Sequence, residues 1–302
     1  MNNENNEYEE YLDKWLNGIE SEIHFWDEFM KTRGGNCGHS EERAKREFAY
    51  EKPFVHDNDL ENTEDVKYLD VGSGPFSRYG SKSERANLIF TACDPLASVY
   101  KILKNKHNIK TKVQPITAMV ENLSSVFSEN EFDIVHMSNA LDHSFDPILG
   151  LWQMLYVCKV GGKIILRHHK NEAENENYQG FHQWNLNVEN DKFVIWRKNN
   201  KIDVQEVLKC CAEIEETKTE KEPTGWEYNK VVIRKKDKAP LHFNENYPLL
   251  LEKMVENICH LNLKIYETQN KPNSEHKCEI QNKPKSEHKV YKFFGIKIKI
   301  RK

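Results

Sequence analysis

The sequence predicts an α/β fold in which a mostly parallel sheet carries helices on both faces. Three observations predict it. From Val66 onward, short apolar runs at 66 to 71, 87 to 93, 111 to 116, 132 to 138 and 163 to 169 are separated by helical stretches, and strands that alternate with helices lie parallel and buried. The first run, "VKYLDV", ends in an acid and passes straight into Gly72 and Gly74, as a strand does when its chain must turn tightly. Finally, 302 residues at 38% hydrophobic content suffice for one large core with extensions.

Before that domain, Tyr8, Leu12, Trp15, Leu16, Ile19, Ile23, Trp26 and Met30 advance in steps of three and four. That spacing is one face of a helix. Gly34-Gly35-Asn36 supplies its left-handed stop and a short charged helix follows from Ser40, so residues 1–60 are expected to pack over the core as a helical segment. Within the main domain, 61–237, helices are expected at 77 to 86, 96 to 106, 118 to 127 and 146 to 159, the last closed by Gly161-Gly162. "FVIWRKNNKIDV" predicts a hairpin turning at Asn199-Asn200, followed by a helix near 204 to 211 and strands near 212 to 219 and 227 to 235. A helix at about 247 to 260 occupies the segment 238–265. "QNKPNSEHK" (269 to 277) then recurs as "QNKPKSEHK" (281 to 289). Two copies of a polar, proline-bearing unit bury no core, so 266–289 is expected to be a flexible spacer before a basic tail, 290–302.

Composition excludes several classes. A net charge of -4 gives no chain-wide positive field for nucleic acid. Seven cysteines, odd in number and never in C-x-x-C, argue against a disulfide framework and a zinc site and suit a reducing compartment. "MNNENNEYEE" has neither a basic start nor an apolar stretch, and no window approaches the roughly 18 apolar residues of a membrane span, so a cytoplasmic protein is expected. The tail "KVYKFFGIKIKIRK" alternates Lys with Ile and carries six positive charges from Lys289 onward. It predicts an edge strand that meets an anionic partner, a membrane's inner face or an acidic protein, or else folds back on its own domain.

The first turn discriminates between ligands. A dinucleotide fold wants G-x-G-x-x-G, but here Ser77 stands at the third glycine and Asp70 stands at the strand tip. A carboxylate there repels a pyrophosphate and attracts an ammonium. At the tip of the second strand, Asp94 in "FTACDP" can accept both hydroxyls of a ribose. The two acids describe a nucleoside with a cationic tail.

Taken in order, "LDVGSGPFS", "ACDP", "ITAMVENL" and "FDIVHMSNALDHSFDP…VGGKIIL" resemble the motifs of class I S-adenosylmethionine-dependent methyltransferases over about residues 64 to 170. The resemblance implies a Rossmann-like sheet of seven strands and S-adenosylmethionine as cofactor. It places Asp70, Gly72 and Gly74 at the methionine end and Asp94 on the ribose; Asn139, after the fourth strand, is expected on the cofactor side. The family usually has an acid for the adenine amino group where Met119 stands, so adenine recognition is expected at the backbone of Val120. A nicotinamide oxidoreductase shares the sheet but is opposed by Asp70 and Ser77.

Methyl transfer asks the protein to align a nucleophile and exclude water, and a hydroxyl acceptor adds the need for a base, worth about 10²–10⁴-fold. Histidine suits neutral pH. "SNALDHS" offers Asp142 and His143; "RHHKNEAENENYQGFHQWN" offers His168, His169, Glu172, Tyr178, His182 and Trp184. Adjacent His168 and His169 face opposite sides of a strand, so at most one faces the cleft. The expected base is His169 or His182, with His143 near the sulfonium; Asp142, His168, Glu172, Tyr178 and Trp184 form the acceptor wall. Held as ligands, Asp142, His143, His168, Glu172 and His182 would instead carry a divalent ion, although no pair has a compact ligand spacing, so no metal is expected. The tail and the "HQWN" loop are similar to those of bacterial enzymes of surface-polysaccharide synthesis. The expected acceptor is therefore a hydroxyl of a sugar nucleotide or glycan precursor, with N-methylation of a small polar metabolite and a methyltransferase-like scaffold as alternatives. The N-terminal helix offers a homodimer surface.

Overall fold

The structure, a computed structural model, describes residues 2–35, 41–54, 56, 59–60, 65–77, 80–221, 225–242, 289–293 and 296–300. The chain divides into two compact units, Met1–Tyr247 and Pro248–Lys302. In the first, helices α1 (Asn2–Thr32) and α2 (Glu41–Glu47) precede strand β1 (Asp65–Val71), and β2 (Asn87–Asp94), α3 (Ala97–Lys106), β3 (Ile116–Thr117), β4 (Phe132–Ser138), α4 (Pro147–Val157) and β5 (Cys158–His169) follow. The chain then leaves the sheet through α5 (Glu172–Asn175) and an antiparallel ribbon of β6 (Asn185–Glu189), β7 (Lys192–Arg197) and β8 (Asn200–Asp203). It returns through α6 (Val204–Leu208) to β9 (Ala212–Lys221) and β10 (Glu227–Lys235). The central sheet has seven strands in the order β3-β2-β1-β4-β5-β10-β9. Pairings β1–β2, β1–β4, β2–β3 and β4–β5 are parallel, and β10 runs antiparallel to both neighbours. The fold is the predicted mostly parallel α/β sheet.

Strand order reverses between β1 and β4, which opens a crevice at their carboxyl ends. Alternation along the strands sorts side chains onto two faces. Leu69, Val135, Met137, Ile164 and Leu166 enter the larger core with Leu151, Met154 and Leu155 of α4. Tyr68, Ile134 and Ile165 pack on the other face against Phe54 and Leu60. Helix α4 begins where Asp146 accepts the Leu149 N–H at 2.9 Å and Pro147 takes the first helical position. Helix α1 buries Trp15, Ile19, Ile23, Phe29 and Met30, none more than 6% exposed, worth about 1.5–3 kcal/mol for each large apolar side chain. These five side chains of the stripe pack within their own chain.

Several elements differ from expectation for identifiable reasons. The helix expected at 77 to 86 does not form among the described residues. Ser77 and Gly80 take positive φ (46° and 79°), and Ser81 and Lys82 donate N–H bonds to Lys52 O, so the segment before β1 covers this face instead. The strand expected at 111 to 116 shrinks to β3, because Thr111 and Gln114 bond the Lys104 ammonium at 3.2 and 2.9 Å. Residues 120–125 form a 3₁₀ helix rather than part of an α-helix. Gly161 and Gly162 do not close a helix; they lie inside β5, where a side chain at Gly162 would sit 2.8 Å from Asp133 O. The hairpin turns at Lys198-Asn199, since Arg197 pairs with Asn200, and β6 was not anticipated.

In the second unit, β11 (Lys289–Phe293) pairs antiparallel with β12 (Ile296–Ile300), two strands where one edge strand was expected. The helix expected at 247 to 260 lies outside the described residues, as does the repeat apart from Lys289. Replacing Gly80 by Ala puts a Cβ 2.1 Å from Pro53 O at a positive φ. The variant is expected to lose more than about 1 kcal/mol of stability, read as a lowered Tm by scanning calorimetry; an unchanged Tm would contradict this packing.

Candidate active site

The crevice holds a cavity of about 320 Å³. Its floor is the turn after β1. Gly72 and Gly74 take φ of 64° and 60°, and a Cβ on Gly72 would lie 2.5 Å from that of Ala140, so the turn closes only with glycine. Asp70 is buried at the strand tip with both oxygens engaged: Oδ1 lies 3.0 Å from Nδ1 of buried His136, and Oδ2 accepts the Ser77 hydroxyl at 2.9 Å. Ser77, which replaces the third glycine of a dinucleotide turn, therefore holds the acid in place. Burial lowers the pKa of His136 against the pull of Asp70.

Asp94 is the second acid. Its Oδ1 accepts the Leu96 N–H at 2.8 Å and its Oδ2 the Gly74 N–H at 2.9 Å, which ties the tip of β2 to the β1 turn. Burial pushes its pKa up to about 7 despite these two N–H donors. Met119 and Val120 line the adjacent wall with Leu96 and Tyr100. Glu121, also in the lining, spends Oε1 on the N–H groups of Phe145 and Asp146 at 2.9 and 3.3 Å, and burial raises it to about 8. Asn139 completes this side with φ of 44° and its N–H on Arg167 O at 2.9 Å.

Helix α1 supplies a wall that the sequence reading missed. Trp15, Glu22, Phe25 and Trp26 line the cavity, and the Trp26 indole donates to Glu22 Oε1 at 2.7 Å. Trp15 stacks on Phe181 at 5.4 Å, and Trp26 meets Tyr100 at 6.0 Å. Trp15 and Trp26 belonged to the predicted apolar stripe, which was the available signal; Glu22 lay in the acidic residues between and carried none.

At the acceptor end, a 3₁₀ turn after β4 (Leu141–His143) presents Asp142 and His143. The 170-to-185 loop is fastened to it: Gln183 N and Trp184 N both donate to Asp142 O, at 3.0 and 3.2 Å. This brings His182 Nδ1 to 2.7 Å from Asp142 Oδ2 and 3.2 Å from His143 Nε2. Burial pushes the Asp142 carboxyl up, but the charge of His143 and the His182 hydrogen bond outweigh it and hold it at about 2. Burial pulls His182 down, yet the Asp142 bond and charge raise it above the ordinary imidazole value.

The structure separates the remaining candidates. His143 and His182 line the cavity, and His169 does not: its ring sits edge-on to Trp226 and Tyr228 at 5.5 and 5.2 Å. Strand alternation sends His168 toward Asp142 and His169 to the opposite face, but neither His168 nor Asp142 forms the expected acceptor wall: both are buried behind the cavity lining. His168 is buried and its pKa falls to about 3 through desolvation. Trp184 is not an acceptor wall but core, its indole donating to Ser144 O at 3.0 Å. Tyr178 is outside the cavity lining, its hydroxyl accepting from Asn185 at 3.0 Å. Glu172 starts α5 and acts on His182 through its charge.

Residues 69–166 match the family described as a methyltransferase domain. Among solved structures, similar chains include an S-adenosylmethionine-dependent methyltransferase from Aquifex aeolicus (14% identity, 58% of this chain, 86% of that chain, TM-score 0.38). Another, from Methanosarcina mazei, shows 14% identity over 60% of this chain and 96% of that one, with TM-score 0.38. A third is the 1,6-didemethyltoxoflavin-N1-methyltransferase of Burkholderia thailandensis, crystallised with 1,6-didemethyltoxoflavin and S-adenosylhomocysteine (16% identity, 58% of this chain, 72% of that chain, TM-score 0.36). No curated protein sequence matches the chain.

The domain around this crevice is a methyltransferase domain. Its cofactor is S-adenosylmethionine, and the donor set fits: an acid at the β1 tip for a cationic amino acid tail, an acid at the β2 tip for ribose hydroxyls, and an apolar slot beside Val120 for adenine. Because Asp94 in the free protein takes up a proton near pH 7, its ability to accept two ribose hydroxyls is lost as pH falls through 7. S-adenosylhomocysteine affinity, measured by calorimetry, is expected to weaken below pH 7 by up to about tenfold per unit and to level off above it. Asp94→Asn should bind more weakly and show no such slope; a wild-type affinity flat from pH 6 to 8 would contradict the assignment.

Proposed function

We propose that the chain transfers a methyl group from S-adenosylmethionine to a hydroxyl of a sugar nucleotide or surface-glycan precursor, with His182 as general base. The observation that carries this reading is the 2.7 Å bond between Asp142 Oδ2 and Nδ1 of His182 at the cavity wall. A buried carboxylate in that position holds the imidazole in one tautomer, with the proton on Nδ1, and leaves Nε2 to accept the acceptor's proton. S-adenosylmethionine, when bound, supplies an electrophilic methyl on a good leaving group. The chain's own part is alignment, proton acceptance and exclusion of water.

Exclusion of water falls to the aromatic roof, in which Trp15 of α1 stacks on Phe181 of the acceptor loop. Because Phe181 and His182 are neighbours, the contact that closes the cavity also seats the base. The polar acceptor end, with Asn139, His143, Ser144 and His182 in the lining, suits a hydroxyl-rich acceptor better than an apolar one. The basic tail supports an anionic partner, and we infer work at the inner face of a membrane, where lipid-linked glycan precursors are presented.

The protein incubated with labelled S-adenosylmethionine and a panel of nucleotide sugars and glycan fragments is expected to add one methyl to an oxygen of one of them, read by mass spectrometry. His182→Ala should then lower kcat by about 10²–10⁴-fold while S-adenosylhomocysteine affinity persists. A rate unchanged in that variant would remove the base assignment, and methyl found on nitrogen would remove the hydroxyl acceptor.

A further inference from the structure

Asp142, His143 and His182 bring three potential ligand atoms to one place at the acceptor end. Nδ1 of His182 lies 2.7 Å from Asp142 Oδ2 and 3.2 Å from Nε2 of His143, and that Nε2 lies 3.4 Å from the same oxygen. Two ring nitrogens and one carboxylate oxygen thus bound a single small space. A proton on Nδ1 of His182 can point well at Asp142 or at His143, not at both. Separations of 2.7, 3.2 and 3.4 Å are, however, those of three donor atoms each about 2.0–2.2 Å from one centre, the usual distance from a zinc-type ion to imidazole nitrogen or carboxylate oxygen.

Two further observations point the same way. Asp142 Oδ1 is buried and has no hydrogen-bond partner among the described residues. His168 is 2% exposed and neither ring nitrogen is hydrogen-bonded among the described residues, and it lies close enough to interact electrostatically with both Asp142 and His143. A cluster with buried lone pairs left over has acceptor capacity that hydrogen bonds within the protein do not use. The turn and loop that carry the three donors are locked together by the two N–H bonds to Asp142 O, so the arrangement is held before anything binds.

We propose that Asp142, His143 and His182 bind one divalent transition-metal ion, with open positions facing the cavity that take an oxygen of the acceptor. Two imidazoles and one carboxylate select zinc, iron(II), cobalt(II) or manganese(II) over magnesium and calcium, which prefer all-oxygen shells. Three protein donors leave at least one position open. A hydroxyl bound there loses its proton more readily, and with Nδ1 of His182 on the ion that proton leaves to solvent; without the ion it goes to His182. The ion site stands on the three donor atoms and rests on the methyl-transfer reading only for what fills the open position.

The test uses the full chain stripped with a chelating resin and titrated with Co²⁺, whose visible absorption reports bound nitrogen and oxygen donors. The wild type is expected to saturate at one ion per chain. His143→Ala and His182→Ala should each weaken binding by at least about 10–100-fold, the loss that even indirect changes to a metal site produce, while His24→Ala, on the exposed surface of α1, leaves it unchanged. Calorimetry with S-adenosylhomocysteine shows whether each variant keeps its folded cavity. No saturable absorption in the wild type, or cobalt affinity unchanged in His143→Ala and His182→Ala variants that still bind S-adenosylhomocysteine, would overturn the ion site. Co²⁺ saturation lost in those variants would sustain it even where no panel acceptor gains a methyl, a result that counts against the acceptor reading alone.

Discussion

The cavity depends on two carboxylates being buried side by side at the tips of neighbouring parallel strands. Burying an acid is costly unless its oxygens are met, and each is met by a different part of the chain. Asp70 is held by His136 from β4 and by Ser77 from its own turn; Asp94 is held by the N–H groups of Gly74 and Leu96. These four bonds join β1, β2 and β4 at the one place where the strand order reverses. The register that sets Asp70 opposite both Ala92 and His136 therefore decides the shape of the floor.

Around that floor, the walls come from opposite ends of the domain. Helix α1 brings Trp15 and Trp26 over the crevice, and the loop after β5 brings Phe181 and His182 to meet them. Neither wall belongs to the sheet. The loop finds its place because its backbone bonds Asp142 O and because Trp184 sinks into the core beside Tyr11, 5.3 Å away, and donates to Ser144 O. An aromatic residue that looks like a sugar platform in sequence is thus the anchor that aims its neighbour. Arg197 of β7 adds to this, its guanidinium lying over the Tyr11 ring at 4.1 Å, so the ribbon absent from the sequence reading also braces the acceptor end.

The acceptor end carries an electrostatic conflict that the floor does not. Asp142 stays a carboxylate because two imidazoles face it, whereas Asp94 and Glu121, met mainly by backbone N–H groups, are pushed toward neutrality by burial. A side-chain hydrogen bond with charge interactions outweighs desolvation at Asp142; backbone N–H groups offset it only in part at Asp94 and Glu121. The same comparison explains why burial lowers His168, which has no hydrogen bond among the described residues, while the bond to Asp142 raises His182.

The sequence by itself determined the sheet, its central strands and the two acids with their glycines, because short apolar runs and a strand-to-turn acid are local signals that need no partner to be read. It also determined the stripe on α1, though not what the stripe covers. Tertiary structure alone decided which of His143, His168, His169 and His182 reach the cavity. A strand shows its alternation in sequence, but which face meets the crevice depends on β5 pairing with β4 and β10. It decided that the described residues of 77 to 86 form no helix, since the Lys52 carbonyl that captures the Ser81 and Lys82 N–H groups lies some thirty residues earlier in the chain. And it decided the meeting of Asp142 with His182, forty residues apart, which no spacing rule encodes because the loop between them is placed by contacts with α1 and the small ribbon.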